Sequence, residues 1–280
     1  MELEYAVPFV KGLKVKGMFS YDTSIADNTI YKKEYNEYTY SEATDTYTAY
    51  AMQSPTNLER YYGNSWTTLW QASVSYENTF ASSHNVSGLL LFEEAHSVGD
   101  NIRAARDFSI PLPYLFAGNS ANQLGTANAN GLTESASQAL VGRFNYDYKG
   151  RYLLEFAFRY DGSSKFGADN RWAVFPAFSL GWRIKNEPFL ENVDFLSDLK
   201  LRFSWGRNGN SAIPSGYLQS SYVADYNGTS YAMNGQESGS LQSGFRKYLT
   251  GNSTLKWETV TQTNYGIDFG FFTQSLVGTI

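Results

Sequence analysis

The sequence predicts an all-β protein, a partial antiparallel transmembrane β-barrel of about nine or ten strands. Three observations predict it. Residues 138–206 read as four successive amphipathic strands, aromatic residues recur near the strand ends, and the connections alternate between long and short along the chain.

The central strands carry the first observation. Leu140, Gly142, Phe144, Tyr146 and Tyr148 alternate with Val141, Arg143, Asn145 and Asp147. A period of two puts these sets on opposite faces of a strand. Lys149-Gly150 supplies a tight turn, after which Tyr152, Leu154, Phe156, Phe158 and Tyr160 alternate with Glu155, Ala157, Arg159 and Asp161. A third strand sets Trp172, Val174, Phe178, Leu180 and Trp182 against Ala173, Phe175, Ala177, Ser179 and Gly181. A fourth sets Leu199, Leu201, Phe203 and Trp205 against Lys200, Arg202 and Ser204. Pro176 lies mid-strand, where proline is confined to edges or bulges, so a bulge or broken ladder is expected there.

Alternation alone leaves the solvent of each face open, because a soluble β-sandwich with its apolar face inward shows the same pattern. Strand length favours the membrane: these strands have about twelve residues, against five or six for typical soluble strands and 9 to 11 for a tilted membrane crossing. Tyr146, Tyr148, Tyr152, Tyr160, Trp172, Trp182 and Trp205 fall near strand ends, as interfacial girdles do. Arg143, Glu155, Arg159 and Arg202 all lie on the other face. Since an Arg or Lys facing lipid at the midplane costs about 2 to 4 kcal/mol, these four define a polar lumen.

In chain order, residues 7–12 form a turn and 13–21 a first strand, followed by a long polar loop over 22–63 with extended hairpin extensions around Ile30 to Tyr40. Residues 65–79 form a long strand with Trp66, Trp70, Ala72, Val74 and Tyr76 on one face; a turn at 81–84 leads to a return strand at 86–94. Residues 95–137 show no sustained period and read as a second long loop. After the first two central strands comes a medium loop at 161–171. After the third comes a connection at 185–197 with a short helical turn near 188–192. A very long loop fills 207–253, and 255–272 is the last full strand, with Trp257, Tyr265, Ile267, Phe269 and Phe271 opposite Lys256, Glu258, Gln262, Asn264 and Asp268. Short turns thus fall on one side and long loops on the other, the parity of short periplasmic turns and long external loops in outer-membrane barrels.

Composition narrows the function. A net charge of −5 without a basic stripe argues against nucleic acid. The chain has no cysteine, so neither a disulfide framework nor a thiolate metal site is available. Aromatics make up 17% of residues, a β-rich composition. Met1-Glu2-Leu3-Glu4 lacks the basic and apolar regions of a secretory leader, and a strand has only begun at Ile280, so the chain is expected to be a fragment.

The runs GRFNYDYKGRYLLEFAFRYDGSSKF, NRWAVFPAFSLGWRIKNEPF, LKLRFSWGRNGN and LKWETVTQTNYGIDFGFF resemble the barrel region of the SusC/RagA-like, TonB-linked outer membrane proteins of Bacteroidota. VPFVKGL and HNVSGLLLFE are similar too. The resemblance covers nearly the whole chain. It implies that residues 1–280 are part of a larger plugged barrel of roughly 22 strands. Such barrels import oligosaccharides or peptides with energy delivered by the TonB complex, under a SusD-like lipoprotein lid. No TonB box, plug or closing strand is found in the sequence. The fragment is therefore expected to have two open edges and not to transport by itself.

No catalytic constellation assembles: His84 and His96 flank one strand at its two ends, and no nucleophile, base and orienting group come together. Asp161-Gly162-Ser163-Ser164 with Asp169-Asn170 lacks EF-hand spacing, and Gly206-Arg207-Asn208-Gly209-Asn210 lacks the Lys-Ser or Lys-Thr of a phosphate loop. No enzyme, metal or cofactor is expected. Arg143, Glu155, Arg159 and Arg202 are expected to pair with one another or with a plug. Tyr217, Tyr222, Tyr226, Tyr231, Phe245 and Tyr248, in the aromatic-rich loop, are the candidate contacts for ligand or lid. Two functions follow: a section of a nutrient importer in the outer membrane, or a soluble or surface β-domain that binds glycan through the same loop.

Overall fold

The computed structural model describes residues 1–280 apart from 109–111, 113, 127–131, 214–215, 225–230, 233–240 and 243. The main strands are β1 (Glu2–Ala6), β2 (Leu13–Lys32), β5 (Thr56–Phe80), β6 (His84–Phe108), β8 (Thr133–Tyr148), β9 (Tyr152–Ser163), β10 (Trp172–Arg183), β11 (Leu196–Asn210), β16 (Glu258–Phe271) and β17 (Leu276–Thr279). They join one sheet in the order β1-β2-β5-β6-β8-β9-β10-β11-β16-β17. Sequence neighbours pair throughout once the strands of the long connections are set aside, which is the up-and-down meander of a barrel wall. The long connections hold β3 (Tyr35–Ser41) with β4 (Thr46–Met52), β7 (Gln123–Thr126) on β6, and β12 (Ser221–Ala224), β13 (Tyr231–Ala232), β14 (Leu241–Gln242) and β15 (Phe245–Leu249). The fold is a partial antiparallel β-barrel.

The described chain divides into two compact units: Met1–Ser20, Leu69–Ala95 and Ser135–Ile280 form the first, Tyr21–Thr68 and His96–Glu134 the second. In the first unit the register fixes which residues share a face. Phe144, Phe156, Phe178 and Trp205 lie opposite one another in a row across β8 to β11. The next row is Tyr146, Leu154, Leu180, Phe203 and Tyr265, and the next Tyr148, Tyr152, Trp182, Leu201 and Ile267, both reaching β16. Of the two rows between them, Asn145, Glu155, Ser179, Ser204 and Asn264 form a polar one, and the other holds Asp147 and Arg202 with Leu153, Gly181 and Gly266. One-residue slippage on any strand would mix the two faces, so the alternation of the two environments specifies the register.

Tyr148, Tyr152 and Trp182 stack in succession at the turn end, with centroids 6.3 and 6.4 Å apart. Tyr160 stacks on Trp172 at 4.9 Å at the loop end. Tyr152 and Tyr160 are about 26 Å apart along β9 at ~3.3 Å per residue, which a strand tilt of about 40° converts to a height of about 20 Å. Between the girdles the apolar side chains are uncovered by protein; Phe156 is 46% and Leu180 47% exposed.

Three of the short connections share one turn geometry. Phe80 to Ser83, Tyr148 to Arg151 and Phe272 to Ser275 each close with a hydrogen bond from the fourth residue's N–H to the first residue's carbonyl, at 3.1, 2.9 and 3.1 Å. The central residues all have positive φ: Ala81 and Ser82, Lys149 and Gly150, Thr273 and Gln274. These are the primed turns whose twist matches paired strands. The first two stand side by side, since Lys149 N–H donates to the Ser83 carbonyl at 2.8 Å. The fourth connection, between β10 and β11, contains single helical turns at Ile184–Asn186 and Pro188–Leu190, as its Pro188 foretold.

Several sequence expectations change. The loop expected over 22–63 is largely strand: β2 runs to Lys32, β5 starts at Thr56, and β3 and β4 form a hairpin between them, beyond the extensions expected around Ile30 to Tyr40. The loop expected over 95–137 likewise contains the second half of β6, β7 and the start of β8. His96 is therefore interior to β6 rather than at its end. Pro176 makes no bulge: its pairing with Phe158 of β9 keeps unbroken register. Pairing with β11 begins only at Ala177, so the ladder stops one residue short of the position that has no N–H to give. Trp257 lies before β16 and does not continue the face of Tyr265 and Ile267. It packs on Phe175, a residue of the polar face, at 5.3 Å.

Candidate functional site

The polar face is built by the residues that alternate with the aromatics, and the structure pairs its charges. Arg143 meets Glu155 at 2.7 Å across β8 and β9. Arg159 grips Asp161 on its own strand through Nε and Nη2, at 3.0 to 3.2 Å. Arg202 meets Asp268 of β16 at 2.8 Å. Of the four charges singled out in the sequence, two therefore pair with each other and two take aspartates at i+2 or on the next strand. Half-exposed pairs of this kind contribute little to stability, about 0 to 1 kcal/mol each. Near the turn end the same face holds a groove of about 390 Å³ with Glu77, Asn85, Asn145, Glu155 and Ser179 in its lining. Val86, Tyr146, Leu153 and Leu154 complete that lining, so the groove is mixed in character.

At the turn end, beside the girdle aromatics, one acid is deeply set. Glu187, in the β10–β11 connection, is 6% exposed. It accepts a 2.9 Å hydrogen bond from the Trp182 indole and faces Arg151 at 3.6 Å. Hydrogen bonds from the Tyr152 hydroxyl and the Trp182 indole, aided by the Arg151 charge, outweigh burial and hold its carboxyl below the usual carboxylate range. The group ties the two girdle aromatics of the turn end to an ionised acceptor.

The candidate ligand contacts lie at the other end. Tyr217, Tyr222, Phe245 and Tyr248 are exposed, at 43%, 64%, 78% and 73%. Tyr222 and Phe245 share one face of the β12–β15 ladder, by its register, and Tyr248 lies on the other. Tyr226 lies outside the described residues, and of Tyr231 only its place in β13, paired with Gln242, is described. The two histidines are apart in role: His84 pairs with the Tyr146 hydroxyl at 2.8 Å and His96 with Glu134 at 3.0 Å. Among the described residues no group of three His, Asp or Glu could hold a metal ion.

Sequence reasoning missed a second aromatic surface. The β3–β4 hairpin exposes Tyr35, Tyr38, Tyr40, Tyr47 and Tyr50, each 48% to 71% exposed. Tyr40 and Tyr47 lie opposite each other with rings 5.1 Å apart. The signal was present as a Tyr/Thr alternation on either side of Glu42-Ala43-Thr44-Asp45, and was obscured by the absence of any apolar face.

An open meander with a girdled apolar face and a charged face beneath long connections is the architecture of a receptor barrel. The model of the family described as "TonB dependent receptor-like, beta-barrel" matches residues 13–280. The chain belongs to this family. Among receptors of the family, it is SusC-like: it is 40% identical over 149 residues to TonB-dependent receptor SusC of Bacteroides thetaiotaomicron, covering 53% of this chain and 14% of that protein. It is 35% identical over 212 residues to TonB-dependent receptor P39 of Formosa agariphila, covering 72% of this chain and 18% of that protein. The structure titled "Structure of the RagAB peptide transporter" superposes with a TM-score of 0.73 at 24% identity, over 96% of this chain and 27% of that one. The chain thus spans about a seventh to a fifth of the length of these curated receptors, and its fold is that of a section of a receptor barrel.

Proposed function

We propose that this chain is a section of the wall of an outer-membrane TonB-dependent importer. Its aromatic face meets lipid, its charged face lines the lumen, its turn end is periplasmic and its long connections are external. The observation that supports this best is the separation across β8 to β16 of the rows through Phe156, Leu154 and Tyr152 from the rows holding Arg143, Glu155 and Arg202. In this reading the charge pairs face the plug or the cargo, and residues 1–280 lack the plug.

The cargo is a nutrient oligosaccharide, with peptides as the second class. Exposed tyrosines at 217, 222 and 248 offer a flat ring with a hydroxyl, suited to stacking on a sugar. A SusD-like lipoprotein closes over the external loops, and the TonB complex supplies energy through a part of the protein outside this chain.

The test is uptake by cells carrying the full-length protein. Deleting its gene should abolish growth on one oligosaccharide or peptide source. Complementation should restore growth only when TonB is present. Ligand binding that persists at the cell surface with no TonB-dependent uptake would instead favour a glycan-binding surface domain.

A further inference from the structure

Phe166, in the 164–171 connection, is 0% exposed although it lies outside the strands. Its ring stacks on Trp257 at 4.9 Å, and Trp257 meets Phe175 edge-on at 5.3 Å. Phe175 is itself 7% exposed, over Gly209, where a Cβ would fall 2.0 Å from its ring. Three rings from three separate segments thus form a small core on the polar face at the loop end. Its edges are hydrogen-bonded: the Trp257 indole donates to the Arg171 carbonyl at 3.2 Å, and Asn170 Nδ2 donates to the Thr254 carbonyl at 3.4 Å.

This core is continuous with the stem of the 211–257 connection. Thr254 and Ser253 touch the 164–171 connection; a Cβ at Gly167 would stand 3.0 Å from the Ser253 carbonyl. Just above, Asn252 N–H donates to the Tyr217 carbonyl at 2.8 Å and Gly251 N–H to Ser220 Oγ at 3.1 Å. Immediately beyond are β12 and β15, which carry Tyr222, Phe245 and Tyr248.

The geometry points to Phe166 and Trp257 as positioning residues: they clamp the stem of the 211–257 connection to the 164–171 connection and so fix where the Tyr222/Phe245 surface stands. As a role in ligand binding this rests on the importer reading; as a mechanical clamp it does not. A buried aromatic core at the base of a polar connection raises the free energy of opening it, while an exposed hairpin such as β12–β15 has little stability of its own.

The test uses the full-length protein in lipid nanodiscs, where both ends are accessible and transport is not required. The readout is the rate of limited trypsin cleavage after Arg246 or Lys247 on β15. Trp257→Ala and Phe166→Ala should raise that rate about tenfold or more, as local opening becomes easier, while Trp257→Phe stays within about twofold of the parent. Gly167→Val, which changes no aromatic residue, should do the same by displacing the Ser253 carbonyl, and decides the matter where an alanine variant fails to assemble. Parent-like cleavage in Gly167→Val and in every assembled alanine variant, with the barrel still heat-modifiable on gels, would overturn the clamp. Loss of TonB-dependent uptake is measured separately, so an error in the importer reading leaves this result standing.

Discussion

At the scale of single residues, Glu187 is the acid whose state matters most at the turn end. Its carboxyl is held below the ordinary range by the Tyr152 and Trp182 hydrogen bonds and by Arg151. A group with a depressed folded pKa stabilises the fold above its unfolded value, near 4.3 for Glu, and that contribution is lost as pH falls through the folded value. Thermal unfolding of the full-length barrel should therefore show a parent-minus-variant difference for Glu187→Gln that is constant at neutral pH and shrinks only below about pH 4. A difference that grows on acidification would reject the assignment. Phe166 is the second such residue: replacing a fully buried Phe by Ala costs about 3 to 5 kcal/mol, which urea unfolding of the assembled barrel should register.

At the scale of elements, β8 to β11 were legible in the sequence because each residue pair there separates two environments. An apolar side chain follows a charged one, and the period of two stands out. The outer halves of β2, β5 and β6 were not legible for the converse reason: Leu58, Ala105 and Phe108, which are buried there, stand apart among polar residues and make no sustained period of two. Trp257 was assigned to the wrong face because parity extrapolated from Tyr265 assumes an unbroken strand, and β16 begins only at Glu258. The partners of Arg159 and Arg202 needed the local geometry and the β11–β16 register, which composition does not reveal.

The strands and turns make their own predictions. Phe156→Arg, on the aromatic face of β9, should cost about 2 to 4 kcal/mol and block assembly, whereas Arg159→Gln on the other face should be tolerated. Surface immunodetection of folded, heat-modifiable barrel compares the two; equal tolerance would reject the face assignment. In the Phe80 to Ser83 turn, Ala81 and Ser82 hold positive φ without being glycine or asparagine. Changing this pair to Asn-Gly should stabilise the barrel by about 1 kcal/mol or more, since each non-glycine residue in that region costs about 1 to 2 kcal/mol.

At the scale of the molecule, the sheet of this chain ends in β1 on one side and β17 on the other, each with an unpaired edge among the described residues. Open edges template association, so residues 1–280 expressed alone should form oligomers or aggregates, while the full-length protein should run as a compact, heat-modifiable barrel. Size-exclusion chromatography in detergent compares them. The central claim is that the aromatic rows face lipid, and site-directed spin labelling measures that directly. Nitroxide labels placed singly at 153 to 158 in the full-length protein, reconstituted in bilayers, should alternate. Labels at 154, 156 and 158 should be accessible to lipid-dissolved oxygen, and those at 153, 155 and 157 to a water-soluble nickel reagent. The opposite phase, or accessibility without alternation, would contradict the account.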